Sequence, residues 1–117
     1  MAAQDIDAVK RDFFKLVNMK PSCIEDWLEN PHSKEVGWDS GDGESVGHKS
    51  GRRIVKIKRK PKSELNASDV AHMRKVVGYI KRHLAQRPHK DIRHTPWRYS
   101  LMNWGHDPLR EVHGRGR

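Results

Sequence analysis

One cysteine, Cys23, among 117 residues rules out an intrachain disulfide. No apolar run is long enough to span a bilayer. The first ten residues carry Asp5 and Asp7 and have no apolar stretch, so they are not expected to act as a secretory leader. These absences predict a protein that stays off the membrane and works inside the cell, in cytoplasm, nucleoid or nucleus. Aromatic residues are scarce at 7%, and hydrophobic residues at 34% barely exceed charged ones at 33%, so only one narrow core is affordable. That predicts a single helical domain over residues 1–110 and a disordered basic tail over 111–117.

Acidic residues are also missing from one long stretch. Between Ser45 and Ser63 there is none, while Lys49, Arg52, Arg53, Lys56, Lys58, Arg59, Lys60 and Lys62 supply eight bases. The whole chain carries +9, divided unevenly. Residues 1–44 hold ten acids and five bases, and residues 45–117 hold five acids and nineteen bases. A basic segment of this kind calls for a polyanionic partner or serves as a solvated, solubilising surface.

Hydrophobic periodicity predicts mostly helices. From Asp5 to Val17, the residues Ile6, Val9, Phe13, Leu16 and Val17 fall within an arc of about 100°. Pro21 reads as a stop, and Ser22 with Glu25 as a capping box opening a second short helix. This pair resembles a helix-turn-helix, but Glu25, Asp26 and Glu29 would repel phosphate, so the pair is read as scaffold. From Pro31 to Gly51 the glycines predict a loop. Residues 52–60 fit a helix through Ile54 and Ile57, or a strand through Val55 and Ile57; the lack of a partner strand favours helix. Ser68–Arg87 is the clearest helix, with Val70, Met73, Val76, Val77, Ile80 and Leu84 on one face and Ser68 as N-cap. Gly78 and Ala85 beside that face predict a close helix contact. Thr95-Pro96 opens a last helix that Gly105 and Pro108 close. Its Trp97, Leu101 and Trp104 suit a core face. With Tyr99, Arg98 and Arg110 nearby, these aromatics would otherwise suit stacking on unpaired bases.

No catalytic or metal constellation emerges. Gly41 to Ser50 fails as a phosphate loop because His48 separates Gly47 from Lys49. A weaker version has Gly47 to Gly51 leading into a helix whose amides, with Lys49, Arg52 and Arg53, hold a backbone phosphate. The eight histidines lack ligand spacing, since His72 and His83 lie nearly three turns apart, and they are expected as polar surface. Cys23 has no marked base. No cofactor and no enzymatic activity are expected.

Several blocks nevertheless form a recognisable pattern: Glu35-Val36-Gly37-Trp38, Glu44 to His48 running into Ser50 to Val55, Ala71 to Tyr79 with His83 to Pro88, and Trp97 to Pro108. Over residues 8–110 the chain resembles an uncharacterised family, a domain of unknown function found in small basic bacterial and fungal proteins and often labelled DNA-binding. That resemblance implies nucleic-acid binding and carries no catalytic residues.

The resulting expectation is an all-α bundle of four to five helices with a Gly-rich loop. It binds nucleic acid, duplex DNA in the first instance, through phosphate contacts with little base readout. The expected contacts are Lys49, Arg52, Arg53, Lys56, Lys58, Arg59 and Lys60, supported by Arg74, Lys75, Lys81 and Arg82. The alternative is a protein-interaction adaptor that uses the acidic N-terminal helices.

Overall fold

The structure is a computed structural model that describes residues 3–36 and 45–110. The expected disordered tail and the middle of the Gly-rich loop, residues 37–44, lie outside these. The described residues form six α-helices and one 3₁₀ turn: α1 (Ala3–Leu16), α2 (Pro21–Leu28), α3 (Pro31–Glu35), α4 (Val46–Arg59), the turn Lys62–Glu64, α5 (Ala67–Leu84) and α6 (Pro96–Asn103). No membrane-spanning helix is present among them. The all-α expectation holds, but the helices outnumber the four to five expected.

The extra elements have a common cause. Proline excludes the helical conformation from the residue before it, but it is well suited to the first helical position. Pro21 and Pro31 therefore end one element and begin the next. At Pro31 the Asn30 side chain accepts from the His32 amide at 2.8 Å and caps α3. At Pro21 the cap residue is Lys20 and there is no side-chain cap, so the expected Ser22–Glu25 capping box does not form. Glu25 instead takes both arms of the Arg59 guanidinium, at 2.7 and 2.8 Å.

Residues 52–59 are helical with Lys60 as an extended C-cap, and the helix begins earlier than expected. The Ser45 hydroxyl accepts from the His48 amide at 3.0 Å, and α4 runs through both Gly47 and Gly51. The cap of α5 is Asn66 rather than Ser68. Its side chain accepts from the Asp69 amide while the Asp69 carboxylate accepts from the Asn66 amide, forming a reciprocal box. Thr95 caps α6 as expected, and Gly105 beyond its end adopts a φ of +82°.

α1 packs on α5 and α2 packs on α4, while α6 lies across both pairs. The core is made of Phe13 and Val17 from α1, Ile24 and Leu28 from α2, Ile54 and Ile57 from α4, Met73, Val76 and Ile80 from α5, and Leu101. The tight helix approach is not at Gly78, where an added Cβ would meet only the flexible Arg82 side chain. It is at Gly51, where a Cβ would lie 2.6 Å from the Asn103 carbonyl oxygen and 2.9 Å from Leu28. α4 can reach α6 and α2 together only because that side chain is absent.

Polar groups complete the core. Buried Asn103 accepts from Trp27 Nε1 at 2.7 Å and from the Ser33 hydroxyl, and donates to the Ser33 carbonyl at 3.1 Å, tying α2, α3 and α6 together. The carbonyls at the end of α1 take donors from distant parts of the chain. Lys58 Nζ donates to the Val17 and Met19 oxygens at 3.1 and 3.0 Å, and His106 Nδ1 donates to the Leu16 oxygen at 2.6 Å. Half-buried, Lys58 has its pKa lowered by desolvation and by the nearby charge of Arg110.

Candidate nucleic-acid interface

α4 is built with two opposite faces. Gly47, Ser50, Gly51, Ile54, Val55 and Ile57 are buried. Lys49, Arg52, Arg53, Lys56, Arg59 and the capping Lys60 lie opposite, within an arc of about 120° at 100° per residue. From Lys49 to Lys60 the stripe is about 16 Å long at 1.5 Å per residue. The structure thus brings six of the eleven candidate cations together on one helix face.

Three of the six have acidic partners among the described residues. Arg59 holds Glu25 on α2, and the hydrogen bond to Arg59 keeps the Glu25 carboxyl below its usual pKa. Arg53 and Lys60, about two turns apart along the stripe, converge on Asp69 at 3.1 and 2.6 Å. The Lys60 ammonium, the Asn66 amide and Arg53 together hold the Asp69 carboxyl at about 2, against an ordinary value of 3.8. Among the described residues, two carboxylates thus offset part of the six positive charges.

Asp69 therefore works as a staple between α4 and α5, with a pH signature. Because its folded pKa is depressed, its contribution is complete above about pH 4 and is lost as the pH falls through about 2. Asp69→Asn is expected to lower the melting temperature near neutral pH. The gap to wild type should narrow below about pH 4 and vanish below about 2, as followed by thermal melts at successive pH values. A gap that stays constant over that range would show that the carboxylate charge is not what Asp69 contributes.

The remaining candidates separate. Lys58 is turned inward onto the connection between α1 and α2. Arg74 pairs with Asp5 at 2.9 Å and Lys81 with Asp12 at 3.2 Å, so both lie along the seam between α5 and α1. Lys75 and Arg82 occupy the other flank of α5, and they and Lys56 make no ion pair among the described residues. Asp5, Asp12 and Glu25, which the adaptor reading would offer to a basic partner, are thus engaged with this chain's own bases.

Two concave regions flank the stripe. On the α2 side lies a groove of about 750 Å³ with Leu28, Val55 and Pro61 in its wall and Arg52, Lys56 and Arg59 along it. On the α5 side, a pocket of about 350 Å³ is lined by Lys49, Ser50, Arg53, His72 and Lys75. A cleft of about 470 Å³ continues from it past Tyr79, Arg82 and Trp104.

Sequence patterning missed the stacked rings below this cleft. His72, Trp104, Tyr79, His83 and Trp97 form a continuous ladder with interplanar angles of 10–14°, and the Tyr79–Trp104 centroids are 4.2 Å apart. Arg87 covers the Trp97 end at 5.5 Å. Trp104 is 5% exposed, which assigns it to the core. The expectation of histidines as polar surface fails at four positions. His106 is buried, His48 bonds the Leu28 carbonyl, and His72 and His83 are half-buried in the ladder. Burial is the main cause lowering the pKa of both ladder histidines; for His72 the charges of Arg53 and Lys75 add to it. The only sequence signal was their i, i+7 and i, i+11 spacing along α5, which places His72, Tyr79 and His83 on one face.

No cluster among the described residues has the ligand geometry of a metal centre. The fold and surface define an all-α domain with a cationic helix face. The chain belongs to DUF3140, a family described as proteins of unknown function, whose model matches residues 12–102. The match is somewhat shorter than the 8–110 expected, but it spans the stripe and most of the cleft. No curated protein and no solved structure matches the chain.

Proposed function

We propose that this protein binds nucleic acid, with duplex DNA as the expected form, by laying the outer face of α4 against the phosphate backbone. One observation carries the reading: six cations occupy the helix face directly opposite the buried one, in a chain whose net charge is +9. Lys49, Arg52, Arg53, Lys56, Arg59 and Lys60 form the contact, and Lys75 and Arg82 flank it. Arg53, Arg59 and Lys60 exchange part of their bonding to Glu25 and Asp69 for phosphate oxygens, which Arg grips bidentately. The stripe offers no carboxylate or amide side chain that would read base edges, so affinity comes from backbone contact. Such a role implies an intracellular site of action and involves no catalytic step.

The number of stripe cations that reach phosphate sets the salt dependence. Neutralising three to six phosphates gives a slope of log K against log salt of about −3 to −5. Titration of a labelled duplex at several salt concentrations measures it, and duplexes of scrambled sequence should give the same slope. Failure to bind at about 50 mM salt would remove the reading.

A further inference from the structure

Three indole N–H groups lie among the described residues, and two of them are satisfied. Trp27 Nε1 donates to Asn103 Oδ1 at 2.7 Å, and Trp97 Nε1 donates to the His83 carbonyl at 2.9 Å. Trp104 Nε1 has no hydrogen-bond partner among the described residues, although the side chain is 5% exposed. A buried indole N–H usually finds a partner, and one without it calls for an explanation.

The explanation lies in the cleft of about 470 Å³ between the start of α4, α5 and α6, which Trp104 lines. Gly47 faces the indole edge from α4, and a Cβ there would lie 3.0 Å from Trp104 Nε1 and 3.6 Å from Asn103 Nδ2. The absence of that side chain leaves Nε1 in contact with the cleft instead of sealed in the core. Asn103 Nδ2 spends one hydrogen on the Ser33 carbonyl and keeps a second. Two neutral N–H donors therefore border one point at the inner end of the cleft. We propose that this cleft binds a small aromatic carboxylate, with a carboxylate oxygen accepting from Trp104 Nε1.

The lining selects that class. Val46 and the Tyr79 ring give the cleft apolar wall, and its volume falls within the roughly 300–1,000 Å³ of small-ligand sites. No acidic side chain lines it, and Lys75 and Arg82 stand at its rim without an ion pair among the described residues. Burial raises the Tyr79 pKa against a hydrogen bond to Ser100 and the charge of Arg82, so the phenol stays neutral and adds no negative charge. A carboxylate is planar and accepts on two oxygens, so it can take donors at the inner end and keep its charge near cations. An aromatic body fits the flat space beside Tyr79 and Val46.

The test follows the indole N–H resonances of the nitrogen-labelled full chain during titration with cinnamate. No nucleic acid is present, so the outcome is independent of duplex binding. Lys75 and Arg82 stay unchanged, because they also flank the proposed duplex contact. The Trp104 resonance is assigned by its loss in Trp104→Phe. The expected result is a saturable downfield shift of that resonance, while the Trp97 resonance, already bonded to His83, moves little. Cinnamamide, which has the same shape without the charge, should bind about tenfold more weakly. Trp104→Phe keeps a ring in the stack and lacks the N–H, and it should weaken cinnamate by about tenfold, read from the ligand's own resonances. Gly47→Ala places a methyl against Nε1 and should weaken cinnamate similarly, which tests the same contact without altering the indole. A Trp104 resonance that shows no saturable shift overturns the proposal. So does cinnamamide binding as tightly as cinnamate, or Trp104→Phe binding cinnamate as tightly as wild type.

Discussion

Trp104→Ala is expected to destabilise the fold severely. Trp104 is 5% exposed, stacks on Tyr79 at 4.2 Å and on His72 at 6.4 Å, and joins the main core cluster. Truncating a buried tryptophan costs about 3–5 kcal/mol through lost transfer energy and the cavity left behind. A domain of this size holds only about 5–15 kcal/mol in total. The loss also opens the middle of the ring ladder, so His72 and His83 lose their packing together with Trp104. Circular dichroism and a denaturant melt measure the effect. Trp104→Phe, which keeps a ring in the stack, should recover most of the stability. A stable Trp104→Ala protein that binds single strands weakly would reassign α6 to a base-stacking surface.

Arg52→Glu combined with Lys56→Glu is expected to weaken duplex binding by at least tenfold at low salt. Both side chains are exposed on the outer face of α4, and neither takes part in the Asp69 or Glu25 pairs. The exchange removes two phosphate contacts and sets two carboxylates against the backbone. The salt slope should fall by about 2, close to 0.9 per lost contact. This pair is preferred to one containing Arg53, whose reversal would also break the Asp69 staple, and thermal melts of the variant check that the fold is retained. Lys10→Glu with Lys15→Glu on α1 changes the net charge equally and serves as the control. Fluorescence anisotropy of a labelled duplex should show a small loss for the α1 pair and a large one for the α4 pair. Equal losses would mean that only total charge matters, and α4 would have no special role.

The two variants separate the two halves of the proposal. The first acts on the scaffold that holds α4 in place, and the second on the charge that α4 displays. Gly51 links them, because the close approach of α4 to Asn103 on α6 and Leu28 on α2 keeps its cationic face outward.

The sequence alone was enough for the features that depend on neighbours along the chain. The apolar periodicities of α1 and α5, the Thr95-Pro96 start of α6 and its end at Gly105 were all legible, because caps and helix faces are set within a few residues. The acid-free run in α4 was legible as charge. What it could not show was which cations remain on the surface. Lys58 looked like its neighbours, yet it is turned inward, because it sits on the buried face of α4 and reaches the carbonyls of the connection between α1 and α2. Arg74 and Lys81 looked like support for the interface, yet they pair with Asp5 and Asp12, 69 residues away in the chain. The ring ladder arises the same way, since α5 and α6 with its C-cap supply its members from separate segments. Local sequence determines which face a residue occupies on its helix. Only the packing of helices decides what that face meets, because burial and charge pairing depend on distances across the fold that no local pattern encodes.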